Sequence, residues 1–261
     1  MRENRTTKSQ NKQLNEALLE IKKCQEESRE LGNQDAIVQE NNLLLFGYKA
    51  IAEEIIAELP EDAKILDWGG GFGFLSFFLQ QLGRHVTYFD LKLEEKWMPL
   101  LKQLKIPKVY LNDETKLPFE NESFDAVISC GVLEHVSKPK ESLAELHRII
   151  KPGGLLFVYH FPNRFSYIEH LASKKGQEAH AYKLSKKELR ELLNRRGFKV
   201  VSLRYKYLLP RNLSQFPKIR KLFSKKATVI FMIDYILSLL PVLNVLSTTS
   251  NAVAVKEKDK P

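Results

Sequence analysis

Between Lys64 and His160 short apolar runs alternate with helical patterns, and this alternation constrains the fold more than any other feature of the 261-residue chain. Lys64-Ile65-Leu66-Asp67-Trp68, His85 to Asp90, Val109 to Leu111, Phe124 to Ser129 and Leu155 to His160 each read as a strand. Helical spacing fills the intervals at Phe74–Leu82, at Leu93–Leu104 (interrupted by Pro99) and at Ser142–Ile150, the last closed by Lys151-Pro152-Gly153-Gly154. Strands that are apolar at successive positions are covered on both faces, which calls for a parallel sheet between two layers of helix. Ligands of such sheets bind beyond the carboxyl ends of the strands, where the strand order reverses.

The flanks follow other rules. Residues 1–42 are polar, and Leu14, Leu18, Leu19 and Ile21 draw a short apolar stripe, enough for a marginal amphipathic helix that needs a surface to pack on. Leu43 to Leu59 is a second helix, stopped by Pro60-Glu61-Asp62. Beyond Phe161, Ser185 and Glu188 have the spacing of a capping box at the head of a helix that Gly197 ends. Phe198–Tyr207 and Asn251–Val255 read as two last strands. The implied division is an extension over 1–42, a core over 43–207, a basic and apolar insertion over 208–250, and a final strand and tail over 251–261.

Charge is distributed unevenly. Residues 1–160 hold 20 basic and 25 acidic side chains, whereas residues 161–261 hold 21 and 7, so the net +9 comes from the final third. Such a surface favours phosphate-bearing or anionic partners, whether lipid, phosphorylated small molecule or nucleic acid. Cys24 and Cys130 stand far apart with no C-x-x-C pair or Cys/His cluster, so neither a disulfide framework nor a zinc signature is expected. The polar N-terminus has no apolar core of a secretory signal, and the expected compartment is the cytoplasm.

The loop Asp67-Trp68-Gly69-Gly70-Gly71-Phe72-Gly73 joins the first strand to a helix, where glycines permit a sharp turn and close approach to a ligand. Phe74 stands where a dinucleotide fingerprint needs its last glycine, and the Gly-Lys-Ser/Thr of a P-loop is absent. Asp67-x-Gly69-x-Gly71-x-Gly73 instead resembles the first motif of class I S-adenosylmethionine-dependent methyltransferases, of the type-11 kind. Four further segments continue the resemblance in order: Asp90 ending the second strand, Asp113 before Leu117-Pro118-Phe119, Ser123 to Val136, and Leu146 to Leu155. The fold implied is a Rossmann-like, doubly wound α/β sheet of seven mostly parallel strands with an antiparallel last strand, flanked by N-terminal helices and a C-terminal helical insertion. The cofactor implied is S-adenosylmethionine, and the residues implied to bind it are Asp67, Gly69, Gly71, Gly73, Asp90, Leu91, Asp113, Glu114, Ser129 and Cys130. A carboxylate at Asp90 suits the ribose diol, since its two oxygens are both acceptors.

A sulfonium-activated methyl group asks the protein chiefly for alignment and exclusion of water, so neither a metal nor a covalent nucleophile is expected. A hydroxyl acceptor benefits from a base. His160 at the end of the fifth strand, His180 before the capped helix and His135 in the loop after the fourth strand are the candidates. His85 falls at the wrong end of the sheet, and His147 reads as structural.

Arg211 to Lys226 carries six cations, and Ala227 to Leu246 is almost wholly apolar. Asp234 near its centre and Pro241 argue against a membrane span, leaving a helical pocket cover or an in-plane helix against an anionic membrane through 211–246. The function implied is methyl transfer to a small-molecule or lipid-linked acceptor, with a sugar or glycolipid foremost. The alternatives are an RNA methyltransferase, which the basic third favours but no RNA-binding module supports, and a non-catalytic cofactor-binding protein.

Overall fold

In a computed structural model the described residues are 8–32, 42–91, 98–174, 180, 182–209, 222–223 and 225–257. Seven strands form one sheet: β1 (Lys64–Trp68), β2 (His85–Asp90), β3 (Lys108–Tyr110), β4 (Phe124–Cys130), β5 (Ile150–Pro162), β6 (Phe198–Lys206) and β7 (Thr249–Lys256). Their order is β3-β2-β1-β4-β5-β7-β6. β1 to β5 pair in parallel, and β7 inserts antiparallel between β5 and β6. The doubly wound sheet expected from the sequence is therefore present. Strand order reverses between β1 and β4, so their carboxyl ends open the crevice in which the glycine loop sits.

Helices cover both faces. On one side α1 (Lys8–Glu30), α2 (Asn42–Glu58), α3 (Phe74–Gln81) and α4 (Pro99–Gln103) share a core with Ile65, Ala126, Ile128, Phe157 and Tyr159. On the other, α5 (Pro139–Ile149) and α7 (Lys186–Asn194) pack with Leu66, Val127, Leu156 and Val158. Neighbouring residues of one strand enter opposite cores because successive side chains point to opposite faces. α7 has the capping box: Glu188 N donates to Ser185 Oγ and Ser185 N to Glu188 Oε2.

Several boundaries differ from the sequence reading. α1 is 23 residues long and docked, with Leu14, Ala17, Leu18, Ile21 and Cys24 buried. The expected helix from Leu93 appears as Pro99–Gln103, opening on the proline whose fixed φ suits a first helical position, while 92–97 lie outside the described residues. β5 starts at Ile150, so Lys151-Pro152-Gly153-Gly154 lies inside the strand. Register shifts between the Phe124–Ile150 and Ala126–Leu155 pairs, and a Cβ at Gly154 would stand 2.7 Å from the Asp125 carbonyl. The glycines there make a bulge rather than a helix stop. The final apolar stretch divides into α8 (Ala227–Ser238) and a 3₁₀ turn (Leu243–Leu246), with Pro241 between them. No helix among the described residues is long and apolar enough to cross a membrane. α6 (Tyr167–Lys174) completes the set used below.

Candidate active site

The glycine loop is shaped by what surrounds it. Gly69, Gly71 and Gly73 have φ of 75°, 53° and 78°, in the region that side chains with a Cβ avoid. A Cβ at Gly69 would lie 2.5 Å from Val132, and one at Gly73 would lie 2.7 Å from Leu101. These two glycines let the loop press against the protein. At Gly71 a Cβ would meet nothing within 4 Å, so this part of the loop faces open space.

Carboxylates fix the loop from behind. Asp67, 1% exposed, accepts Ser76 Oγ at 2.6 Å, and burial pushes its carboxyl up to about 6 despite that bond. Asp90 accepts the Gly71 amide at 2.6 Å on Oδ2 and the Leu91 amide at 2.7 Å on Oδ1. Partial burial raises its carboxyl, and the two amides oppose the shift. Tyr88 Oη donates to the Gly71 carbonyl at 2.7 Å, gripping the same residue from its other side. Asp90 Oδ2 also lies 3.3 Å from Tyr88 Oη, whereas Oδ1 keeps a further lone pair for a ligand hydroxyl. The exposed Leu91 contributes the amide that orients Asp90.

Asp113 is exposed and accepts from the Thr115 amide and hydroxyl, both at 2.8 Å. Those bonds, the hydroxyl's first, hold its carboxyl below the usual range. Glu114 accepts Ser137 Oγ at 2.7 Å, tying the segment after β3 to the loop after β4. At the end of β4, Ser129 Oγ is buried with no hydrogen-bond partner among the described residues, and burial pushes the Cys130 thiol well up.

The three histidines fall into two groups. His160 Nδ1 lies 3.7 Å from Cys130 Sγ, and its ring is flanked edge-on by Tyr48 at 5.7 Å and Tyr207 at 5.3 Å between centroids. Its amide donates to Asn251 Oδ1 at 3.0 Å. Both His160 (φ 61°) and Tyr207 (φ 64°) have left-handed backbone, a cost of order 1–3 kcal/mol each that neighbouring packing must sustain. Tyr207 and Asn251 also line a cavity of ≈ 160 Å³ with Ile51, Glu54, Phe231 and Asp234, so His160, packed on Tyr207, adjoins that cavity. His135 and His180 lie together, ring centroids 5.5 Å apart, and burial followed by His180 lowers the His135 imidazole. Between the groups sits Glu134, buried, its carboxyl pushed up to about 7 by desolvation. Its charge helps to raise Cys130 and Tyr48, after their burial.

His147 packs edge-on against Phe198 at 5.2 Å, as a structural side chain would. Sequence reasoning missed Tyr48, Glu134 and Tyr207. Tyr48 falls within the apolar spacing of the helix over 43–59, and Glu134 stands beside His135 in a loop at a strand end.

A family model described as a methyltransferase domain matches residues 66–158. Residues 66–158 thus carry a methyltransferase domain. The demethylmenaquinone methyltransferase of Streptomyces avermitilis is 30% identical over 148 residues, 50% of this chain and 60% of that one. The chain spans about half the length of such curated relatives, 41–60% of the demethylmenaquinone enzymes. Among solved structures, an S-adenosylmethionine-dependent methyltransferase of Methanosarcina mazei superposes with a TM-score of 0.56 at 20% identity, over 79% of this chain and 98% of that one. The 1,6-didemethyltoxoflavin-N1-methyltransferase of Burkholderia thailandensis, solved with 1,6-didemethyltoxoflavin and S-adenosylhomocysteine, gives 0.53 at 19%, over 84% and 80%. The methyltransferase domain and its S-adenosylmethionine cofactor agree with the sequence reading. The open side of Gly71, the spare lone pair of Asp90 Oδ1 and the Ser129 hydroxyl, unpartnered among the described residues, fit such a cofactor between β1 and β4.

Proposed function

We propose that the protein transfers a methyl group from S-adenosylmethionine to the hydroxyl of a small-molecule acceptor, lipid-linked and of the sugar or glycolipid class. The observation that carries the reading is the position of His160, at the crevice end of β5 beside a cavity and between two tyrosine rings. When bound, the cofactor supplies a methyl group already activated by its sulfonium charge. Asp90 would hold the ribose diol, and the loop at Gly71 would lie along the ligand. His160 would take the proton that the acceptor hydroxyl loses as its oxygen gains the methyl group. The tyrosine rings hold the imidazole in place.

The lipid-linked part of the reading is supported by α8. Phe231, Asp234, Tyr235 and Ser238, at helical spacing, line the cavity. Val229, Met232, Ile233, Ile236, Leu239 and Leu240 are exposed on the remaining faces and past the helix end, next to exposed Lys225 and Lys226. One element thus covers the pocket and presents an apolar surface with a cationic edge, the composition of a peripheral membrane contact. The cations from Arg211 to Lys221 lie outside the described residues.

Calorimetry with S-adenosylmethionine and S-adenosylhomocysteine tests the cofactor site. Asp90→Ala and Gly71→Val should each weaken binding by about 1–3 kcal/mol, the scale of a lost charged hydrogen bond or a buried clash. Transfer of labelled methyl groups into lipid extracts and aqueous metabolite pools then tests the acceptor. His160→Ala should lower kcat while leaving cofactor affinity intact. Unchanged cofactor affinity in both loop variants rejects the site, and label confined to the aqueous pool rejects the lipid-linked acceptor.

A further inference from the structure

The sequence offered no metal ligand set, yet folding brings one together from two distant segments. Glu134 and His135 leave the end of β4, His180 precedes α7, and one ligand atom from each lies within 4.8 Å of the others. We propose that Glu134, His135 and His180 form a site for a divalent first-row transition cation such as zinc. Cation binding at these residues is independent of the choice of methyl acceptor.

Two features distinguish this cluster from polar residues that merely meet. The Glu134 side chain is only 3% exposed, and its carboxylate is reached by its own backbone N–H and by His135 Nε2 at 4.0 Å. A carboxylate withdrawn from water with so little compensation calls for a cationic partner. Beyond the trio, Glu169 Oε1 lies 2.8 Å from His180 Nδ1, and the Glu169 side chain is itself 8% exposed. A carboxylate on one imidazole nitrogen fixes the tautomer and turns the other nitrogen's lone pair outward, the recurrent support of a metal-bound histidine. Lys183 Nζ, 3.5 Å from Glu169 Oε2, engages the other oxygen of that carboxylate and leaves Glu134 as the anion facing the two rings.

Two imidazoles and one carboxylate are the donor set of open zinc sites and of non-haem iron sites. Donors around one such ion at ~2.1 Å stand roughly 3.4 Å apart in tetrahedral geometry, so modest side-chain rotation closes the cluster. His135, with 60% of its side chain exposed, has the freedom to make that rotation. Three protein donors leave a fourth position for water or for an oxygen of a ligand in the crevice.

The test uses the full chain without a polyhistidine tag, stripped with chelator and titrated with cobalt(II) and zinc(II). One equivalent of cobalt should develop the intense visible bands of a four- or five-coordinate ion, and zinc should displace it. His135→Ala, His180→Ala and Glu134→Gln should each weaken zinc binding more than a hundredfold. Glu169→Gln should cost tenfold to a hundredfold while the visible bands persist, which separates orientation from ligation. His135→Ala alters an exposed side chain, and a circular dichroism spectrum unchanged from the parent keeps its result interpretable. Failure of the parent to bind either ion below about 100 μM, or equal binding after both histidine substitutions, overturns the proposal. So does a thiolate charge-transfer band, which would put Cys130 or Cys24 in the coordination sphere.

Discussion

Glycines of one loop separate into two kinds once their surroundings are known, and the difference is measurable. Gly69→Ala meets Val132 and an unfavourable backbone together, so it should lower unfolding stability in urea by about 2–4 kcal/mol, and Val132→Ala should restore part of the loss. Gly71→Ala meets only the backbone cost and should lose about 1 kcal/mol, while its methyl group projects into the space proposed for cofactor. Equal stability losses in the two variants would mean that the close approach of Val132 does not constrain the loop. At this scale much of the loop was legible, because a strand that ends in Asp-x-Gly-x-Gly-x-Gly states its backbone locally. The partners were not legible. Asp90 as the acceptor for the Gly71 amide, Tyr88 as the donor to its carbonyl, and His180 beside His135 all depend on pairings across many residues of chain.

At the scale of elements, the fold supplies one side of a choice that the sequence of α8 left open. Its apolar residues exceed one face, so periodicity alone could not say whether it covers a pocket or lies on a surface. The fold places Asp234, 1% exposed, on the inner face, where it accepts the Leu209 amide at 2.7 Å, and this burial explains an acid in an apolar helix. Asp234→Ala should cost about 1–3 kcal/mol of stability by leaving that donor unsatisfied. Met232→Glu and Ile236→Glu, on the exposed side, should change stability by less than about 0.5 kcal/mol. The same two substitutions should abolish co-sedimentation with phosphatidylserine-containing vesicles. Lys225→Gln with Lys226→Gln should weaken it by about 2 kcal/mol, some thirtyfold. If the parent chain ignores both neutral and anionic vesicles, α8 is a pocket cover alone.

Across the whole molecule, the sheet was readable because each strand carries its own apolar run, whereas the role of α1 was not. A short stripe of leucines in a polar segment specifies a helix only once a receiving surface exists, and that surface is built by α3 and α4. There Gln103 Nε2 donates to Glu20 Oε1 at 3.1 Å and contacts Cys24 Sγ at 3.2 Å, while Lys49 Nζ on α2 donates to Asn15 Oδ1 at 2.8 Å. Leu14 and Ile21 are fully buried in the core that contains Phe77 and Phe78 of α3. Shared burial of this kind should bind α1 into the cooperative unit of the sheet. The two cysteines report on it, since Cys24 lies on the buried face of α1, its thiol pushed up to about 11 chiefly by burial, and Cys130 lies at the sheet's crevice. In increasing urea both thiols should become reactive to alkylation at one midpoint, coincident with loss of helical circular dichroism. Ile21→Ala should move that midpoint down by an amount equivalent to about 2–5 kcal/mol while keeping the two reactivities together. Earlier labelling of Cys24 than of Cys130 would instead show that α1 opens on its own, as a separate, less stable unit resting on the methyltransferase core.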